Sequence, residues 1–137
     1  MEIDNQRLVG IVHVETASLA FKGDIGLRQV DMRSVNHLIR VFGISCSRDT
    51  IENHIPASIR PAELDNFLQA SRLTRRDLQR SLLGGPYPHL YLAHEKLYCL
   101  HGQHRLEAAR KVLRPDDCWW TIRLYSFEPN SMCSVLA

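Results

Sequence analysis

The residues best suited to chemistry lie together at His101-Gly102-Gln103-His104-Arg105. A strand-like run, Lys96-Leu97-Tyr98-Cys99-Leu100, enters this segment, and a helix-forming run, Leu106-Glu107-Ala108-Ala109-Arg110-Lys111, leaves it. A strand that passes through a glycine turn into a helix suits anions. The first N–H groups of the helix lack intrahelical acceptors, and the helix dipole adds about half a positive charge there. Glycine lets a phosphate approach the backbone, and the Arg105 guanidinium can grip phosphate oxygens through two parallel hydrogen bonds. Gln103, His104 and His101 add polar heads. Spacing alone also accommodates a simpler reading, in which Gly102 only makes the turn and Arg105 sits solvated on the first helical turn.

Other constellations carry less. His94, Cys99, His101 and His104 fall within a short stretch, and alternation places Cys99 and His101 on one strand face. No structural zinc spacing matches, so no metal site is expected. Cys99 as a nucleophile beside a histidine competes with an inert core thiol, and a strand-interior cysteine favours the core. For a general base near the turn, Glu107 and Glu95 rank below Glu52, which precedes the strand-like segment from His54. Arg72, Arg75, Arg76 and Arg80 form a basic run that can meet nucleic-acid phosphates or simply face water. Of Trp119 and Trp120, one indole is expected in the core and the other at a rim.

The elements that position these residues follow from periodicity. Residues 8–14, LVGIVHV, read as a buried strand, and residues 25–30 as a short second one. Asp31 is placed to cap a helix over residues 31–42, with Val35, Leu38, Ile39 and Phe42 on one face and Gly43 ending it. Residues 54–59 read as a strand that Pro56 confines to an edge or a strand end. Pro61 opens a helix carrying Leu64, Phe67 and Leu68. Thr74 and Asp77 approximate a capping box for a second helix, with Leu78, Leu82 and Leu83 as its stripe, and Gly84-Gly85-Pro86 stops it. Helix 103–113 follows the turn, and residues 118–125, CWWTIRLY, form the last strand.

With 137 residues, 45% hydrophobic and 23% charged, the chain is expected to fold as a single domain. A net charge of +2 gives no support to DNA binding from bulk charge. The four scattered cysteines, the polar start MEIDNQRLVG and the lack of any long apolar run point to an intracellular chain, cytoplasmic or nuclear, with free thiols and no membrane association.

The run Leu100-His101-Gly102-Gln103-His104-Arg105-Leu106-Glu107-Ala108-Ala109 resembles the Gly-x-His-Arg-x-x-Ala-Ala element of the sulfiredoxin/ParB superfamily. The segment Arg28-Gln29-Val30-Asp31-Met32-Arg33-Ser34-Val35-Asn36-His37-Leu38 is similar to that superfamily's first element, and the order helix, strand, strand, turn, helix, strand agrees. The resemblance covers residues 25–127, with 60–94 as an added helical segment, and with Trp119-Trp120 it is similar in particular to a fungal branch carrying a ParB-like domain. It implies an α+β fold, a small mixed sheet packed with helices and an inserted helical pair. It also implies that Gly102, Gln103, His104 and Arg105, with His101, hold the phosphates of a nucleoside di- or triphosphate, with or without Mg2+, and that Arg28 approaches from the other wall. The departures bear on activity. Gln103 stands where sulfiredoxins carry their cysteine, which excludes sulfinic-acid reduction. The ParB elements for CTP turnover have no counterpart, and His101 replaces the leading Asp of the free-serine kinases. The expected function is therefore a nucleotide- or phosphate-binding domain, in a nucleic-acid context. Its competitors are a phosphotransferase using ATP or ADP, and an interaction scaffold with a vestigial turn.

Overall fold

The structure is a computed structural model that describes residues 6–21, 31–44 and 47–127. Along the chain run β1 (Gln6–Glu15), β2 (Leu19–Phe21), α1 (Met32–Ile44), β3 (Ile55–Ile59), α2 (Pro61–Ala70), α3 (Arg75–Leu82), β4 (Leu97–Cys99), α4 (Gln103–Val112) and β5 (Trp119–Phe127). The strands form one mixed sheet in the order β1-β5-β3-β4-β2, and the fold is α+β. β3 is parallel to β5 and antiparallel to β4, whereas β1 pairs antiparallel with β5 and β2 parallel with β4. The sheet therefore begins well upstream of residue 25, because β1 pairs along its length with β5.

Strand alternation separates the two faces. In β3, Ile55, Ala57 and Ile59 are buried while Pro56 and Ser58 are not. Register carries the buried side across the sheet through Ile122 and Leu124 of β5 to Val12 and Val14 of β1. α1 and α4 cover that face: Phe42 meets the Trp120 ring at 5.1 Å between centroids, and Gly102 sits directly over Ile55. Burial of each such large side chain contributes about 1.5–3 kcal/mol. The opposite face keeps Tyr98, Ser58, Tyr125 and Arg123 at least partly in solvent.

Several local expectations are refined. Asp31 caps α1, accepting from Arg33 N–H at 3.0 Å and from the Ser34 hydroxyl at 3.1 Å. The helix does not stop at Gly43 but continues through it to Ile44; Gly43 does not take the positive φ of a helix-ending glycine. β3 is an internal strand, and of the two places open to Pro56 it takes the strand end. The Pro56 carbonyl accepts from Leu100 N–H at 2.8 Å, so its imino nitrogen faces the β4 side, past the last ladder pair Ala57–Cys99. Of the expected α3 stripe only Leu78 is buried; the helix ends at Leu82, and Leu83 is 84% exposed at its C-cap. β2 lies outside every expected strand, while the strand expected over residues 25–30 falls outside the described residues.

α3 lies along the free edge of β1. Ser81, buried, accepts from Ile11 N–H at 2.9 Å. Further along, His13 N–H donates to the Pro88 carbonyl at 2.8 Å and the His13 carbonyl accepts from Leu90 N–H at 2.9 Å. A Cβ on Gly10 would lie 2.8 Å from Leu78 Cδ2, so glycine there permits the approach. Among the described residues no helix is long and apolar enough to cross a membrane.

Candidate anion-binding cleft

α4 starts where the chain leaves β4 through His101 and Gly102. Gly102 is the N-cap with φ 101° and ψ 20°, a backbone region that L side chains rarely adopt. It is constrained a second time, because a Cβ there would lie 2.9 Å from Ile55 Cγ1 and 3.1 Å from Cγ2. Glycine at this position also leaves α4 without a side-chain cap. The first intrahelical bond runs from Leu106 N–H to the Gly102 carbonyl at 3.0 Å, so the N–H groups of Gln103, His104 and Arg105 precede the helical ladder.

Those groups border a cleft of about 580 Å³ between α1 and α4, lined by Arg33, Ser34, His37 and Leu38 on one wall and Gly102, Gln103, His104 and Arg105 on the other. The two helix starts differ. The α1 start is capped by the Asp31 carboxylate, whose two oxygens are engaged by its own helix. The α4 start has no such cap. Among the described residues neither the Arg33 nor the Arg105 guanidinium has an ion-pair partner. His104 Nε2 accepts from Asp31 N–H at 3.0 Å, which fixes the tautomer protonated at Nδ1 and ties the two walls together. Nδ1–H is the ring donor left for anything else in the cleft.

Of the residues singled out from sequence, Gly102, Gln103, His104 and Arg105 come together here. His101 is exposed beside the cleft rather than lining it, and Arg28 lies outside the described residues. Glu52 is exposed on a 3-10 turn, Ile51–Asn53, and does not line the cleft. The arginine run does not share one helix face: Arg72 occupies the turn before α3 with φ 60°, and Arg75 holds Asp65 through two nitrogens at 3.1 and 2.8 Å. Cys99 and His101 do not share a face in practice, because the strand ends at Cys99; the thiol is buried and the imidazole exposed. Burial pushes the Cys99 thiol up to about 12, far from the range of a nucleophilic thiolate. Arg33, Ser34 and His37 were not singled out; their signal is the polar side of α1 in the two turns after the Asp31 cap.

A second polar cluster ties the segment around Asp49 to the sheet. Trp119 stacks on His13 at 4.0 Å between centroids, and the Arg48 guanidinium lies 3.8 Å from the indole centroid. Arg48 also binds the Asp117 carboxylate at 2.9 Å. Asp49 Oδ1 accepts from the Thr121 hydroxyl at 2.6 Å and pairs with His13 Nε2 at 2.7 Å. Burial pushes the Asp49 carboxyl up, yet the hydrogen bonds from Thr121 and His13 outweigh it and hold the group below its ordinary value. His54 donates from Nε2 to the Asp49 carbonyl at 2.9 Å, and burial pulls its imidazole below the usual histidine value. The visible sequence signal was His13, a titratable residue inside the apolar run 8–14. Trp120, fully buried, is the core member of the tryptophan pair and donates to the Asn53 carbonyl at 2.7 Å. Among the described residues no three His, Cys, Asp or Glu side chains converge on a metal position.

Residues 7–134 match the family described as "Protein of unknown function (DUF3723) N-terminal domain". No curated protein and no solved structure matches the chain.

Proposed function

The chain belongs to the family of DUF3723 N-terminal domains, and we propose that its α1/α4 cleft binds the phosphates of a nucleoside di- or triphosphate. The observation that carries this reading is the uncapped start of α4, which faces a cleft holding two arginines without carboxylate partners. Three backbone donors, the N-terminal end of a helix dipole and two guanidiniums converge on one space. The Asp31 carboxylate at the α1 start is engaged by its own helix and so forms no ion pair with either arginine. A volume of about 580 Å³ falls within the usual range of small-molecule sites. The resemblance of the turn to the sulfiredoxin/ParB element supports the same assignment.

Binding is favoured over phosphoryl transfer. A transferase needs a group placed to orient or deprotonate the acceptor, and Glu52, the candidate for it, lies outside the cleft. Mg2+, where required, would arrive with the phosphates. Calorimetric titration with ATP, ADP, CTP and GTP, with and without Mg2+, tests the reading. Saturable binding of one of them is expected, weakened about tenfold or more by Arg105→Ala and by Arg33→Ala, since each removes charge-assisted hydrogen bonds. No heat with any nucleotide, or binding that both variants leave intact, would refute it.

A further inference from the structure

The sheet face turned away from α1 and α4 carries an arrangement that the cleft does not use. Register places Tyr98 of β4 directly opposite Ser58 of β3, and Ser58 directly opposite Tyr125 of β5. Residues opposite one another share a face with Cβ atoms about 4.5–5.5 Å apart, so the two tyrosines are rooted about 10 Å apart with only a serine between them. A flat ring held between two others needs about 7–8 Å for its two contacts. The tyrosines are free to provide it: Tyr98 is 45% exposed, Tyr125 is half-buried, and among the described residues neither ring contacts another aromatic ring.

One row along the same face, Arg123 lies opposite Pro56 and Ile11. Its Nε is shielded from solvent and has no acceptor, and among the described residues its guanidinium has no carboxylate partner. His54, 5% exposed, likewise leaves Nδ1 without a partner. Because His54 donates through Nε2, Nδ1 presents a lone pair, whereas Arg123 Nε presents a proton. The face thus offers an aromatic slot and, one row along, a guanidinium without a carboxylate partner among the described residues.

We infer that this open sheet face binds single-stranded nucleic acid, an unpaired base stacking between Tyr98 and Tyr125 over Ser58 while the sugar-phosphate backbone passes over Arg123. Stacking serves any base, because every base has a π-face, and the unpaired guanidinium complements the phosphate charge. A duplex keeps its bases out of reach of such a slot. The site is separate from the α1/α4 cleft, so each assignment stands or falls by itself.

The test is fluorescence anisotropy at low salt with labelled twelve-nucleotide oligo(U) and oligo(dT), using the full chain. Binding to at least one strand is expected. Tyr98→Ala and Tyr125→Ala should each weaken it about tenfold. Ser58→Leu, which fills the slot from an incompletely buried position, should weaken it as much while leaving the thermal midpoint within a few degrees. Tyr91→Ala removes an exposed tyrosine elsewhere and should change nothing. No binding to either strand overturns the proposal. So does binding that survives both tyrosine substitutions, or that Tyr91→Ala reduces equally. Competition by a proline-rich peptide in place of oligonucleotide binding would assign the slot to a protein partner and likewise overturn it.

Discussion

Replacing Gly102 by alanine tests the turn on which the cleft depends. Two independent penalties apply. An L residue held in the left-handed region costs about 1–2 kcal/mol, and Gly102 sits at φ 101°. The new methyl would meet Ile55 at 2.9 Å, and forcing extra volume into a packed site costs about 1–3 kcal/mol. Together they predict a loss of about 2–5 kcal/mol, which for a chain of 137 residues lowers the thermal midpoint by about 7–17 °C. Differential scanning calorimetry reads this directly, and a double-mutant cycle separates the two parts. In an Ile55→Ala background both Cγ atoms are gone, so the added cost of Gly102→Ala should fall to the backbone part, about 1–2 kcal/mol. A midpoint lowered by less than about 3 °C would refute the account of the turn. An undiminished cost in the Ile55→Ala background would refute the steric half alone.

Three further outcomes follow from other contacts. The folded-state value of His54 is depressed, so the unfolded chain binds more protons as pH falls; the stability at stake is fully present above about pH 6.5 and is lost below it. Urea midpoints measured from pH 7.5 to 5.5 should therefore fall, and the fall should shrink in His54→Gln; parallel curves would contradict this. Ser81→Ala strands the Ile11 N–H at the covered edge of β1 and should cost about 1–3 kcal/mol in urea unfolding, against no measurable change if water replaces the hydroxyl. Cys99, with its thiol pushed up to about 12, should resist iodoacetamide at pH 8 in the folded protein and react in urea, as read by peptide mass mapping; rapid labelling of the native chain would contradict its burial.

Local signals made much of this molecule legible. Asp31, with Val35 and Phe42 at helical spacing behind it, marks α1, and the alternation through Ile55, Ala57 and Ile59 marks β3 and its buried face. The turn at Gly102 was visible because a change of period, a glycine and an arginine coincide there. What escaped is set by tertiary structure. β2 is three residues long and exists by pairing with β4, so no periodicity can reveal it. The bond between His104 and Asp31 joins residues 73 apart, and nothing local distinguishes a histidine engaged in this way from one facing a ligand. Leu82 and Leu83 continue the apolar pattern of α3, but the helix ends beneath them. The Tyr98–Ser58–Tyr125 row required three strands in register before it existed as a feature at all.

The manner in which β1 is bordered bears on how the chain behaves among copies of itself. An outer strand with open N–H and C=O groups is a template onto which a neighbour's strand can add. Here Ser81, Pro88 and Leu90 already occupy the outward groups of Ile11 and His13, so the α3 segment serves as a built-in competitor that a second copy would have to displace. Where that segment is displaced, the outward N–H groups of Ile11 and His13 are open to a strand of a second copy. Self-association through β1 would follow, which makes the α3 segment a guard against polymerisation as well as a contributor to the core.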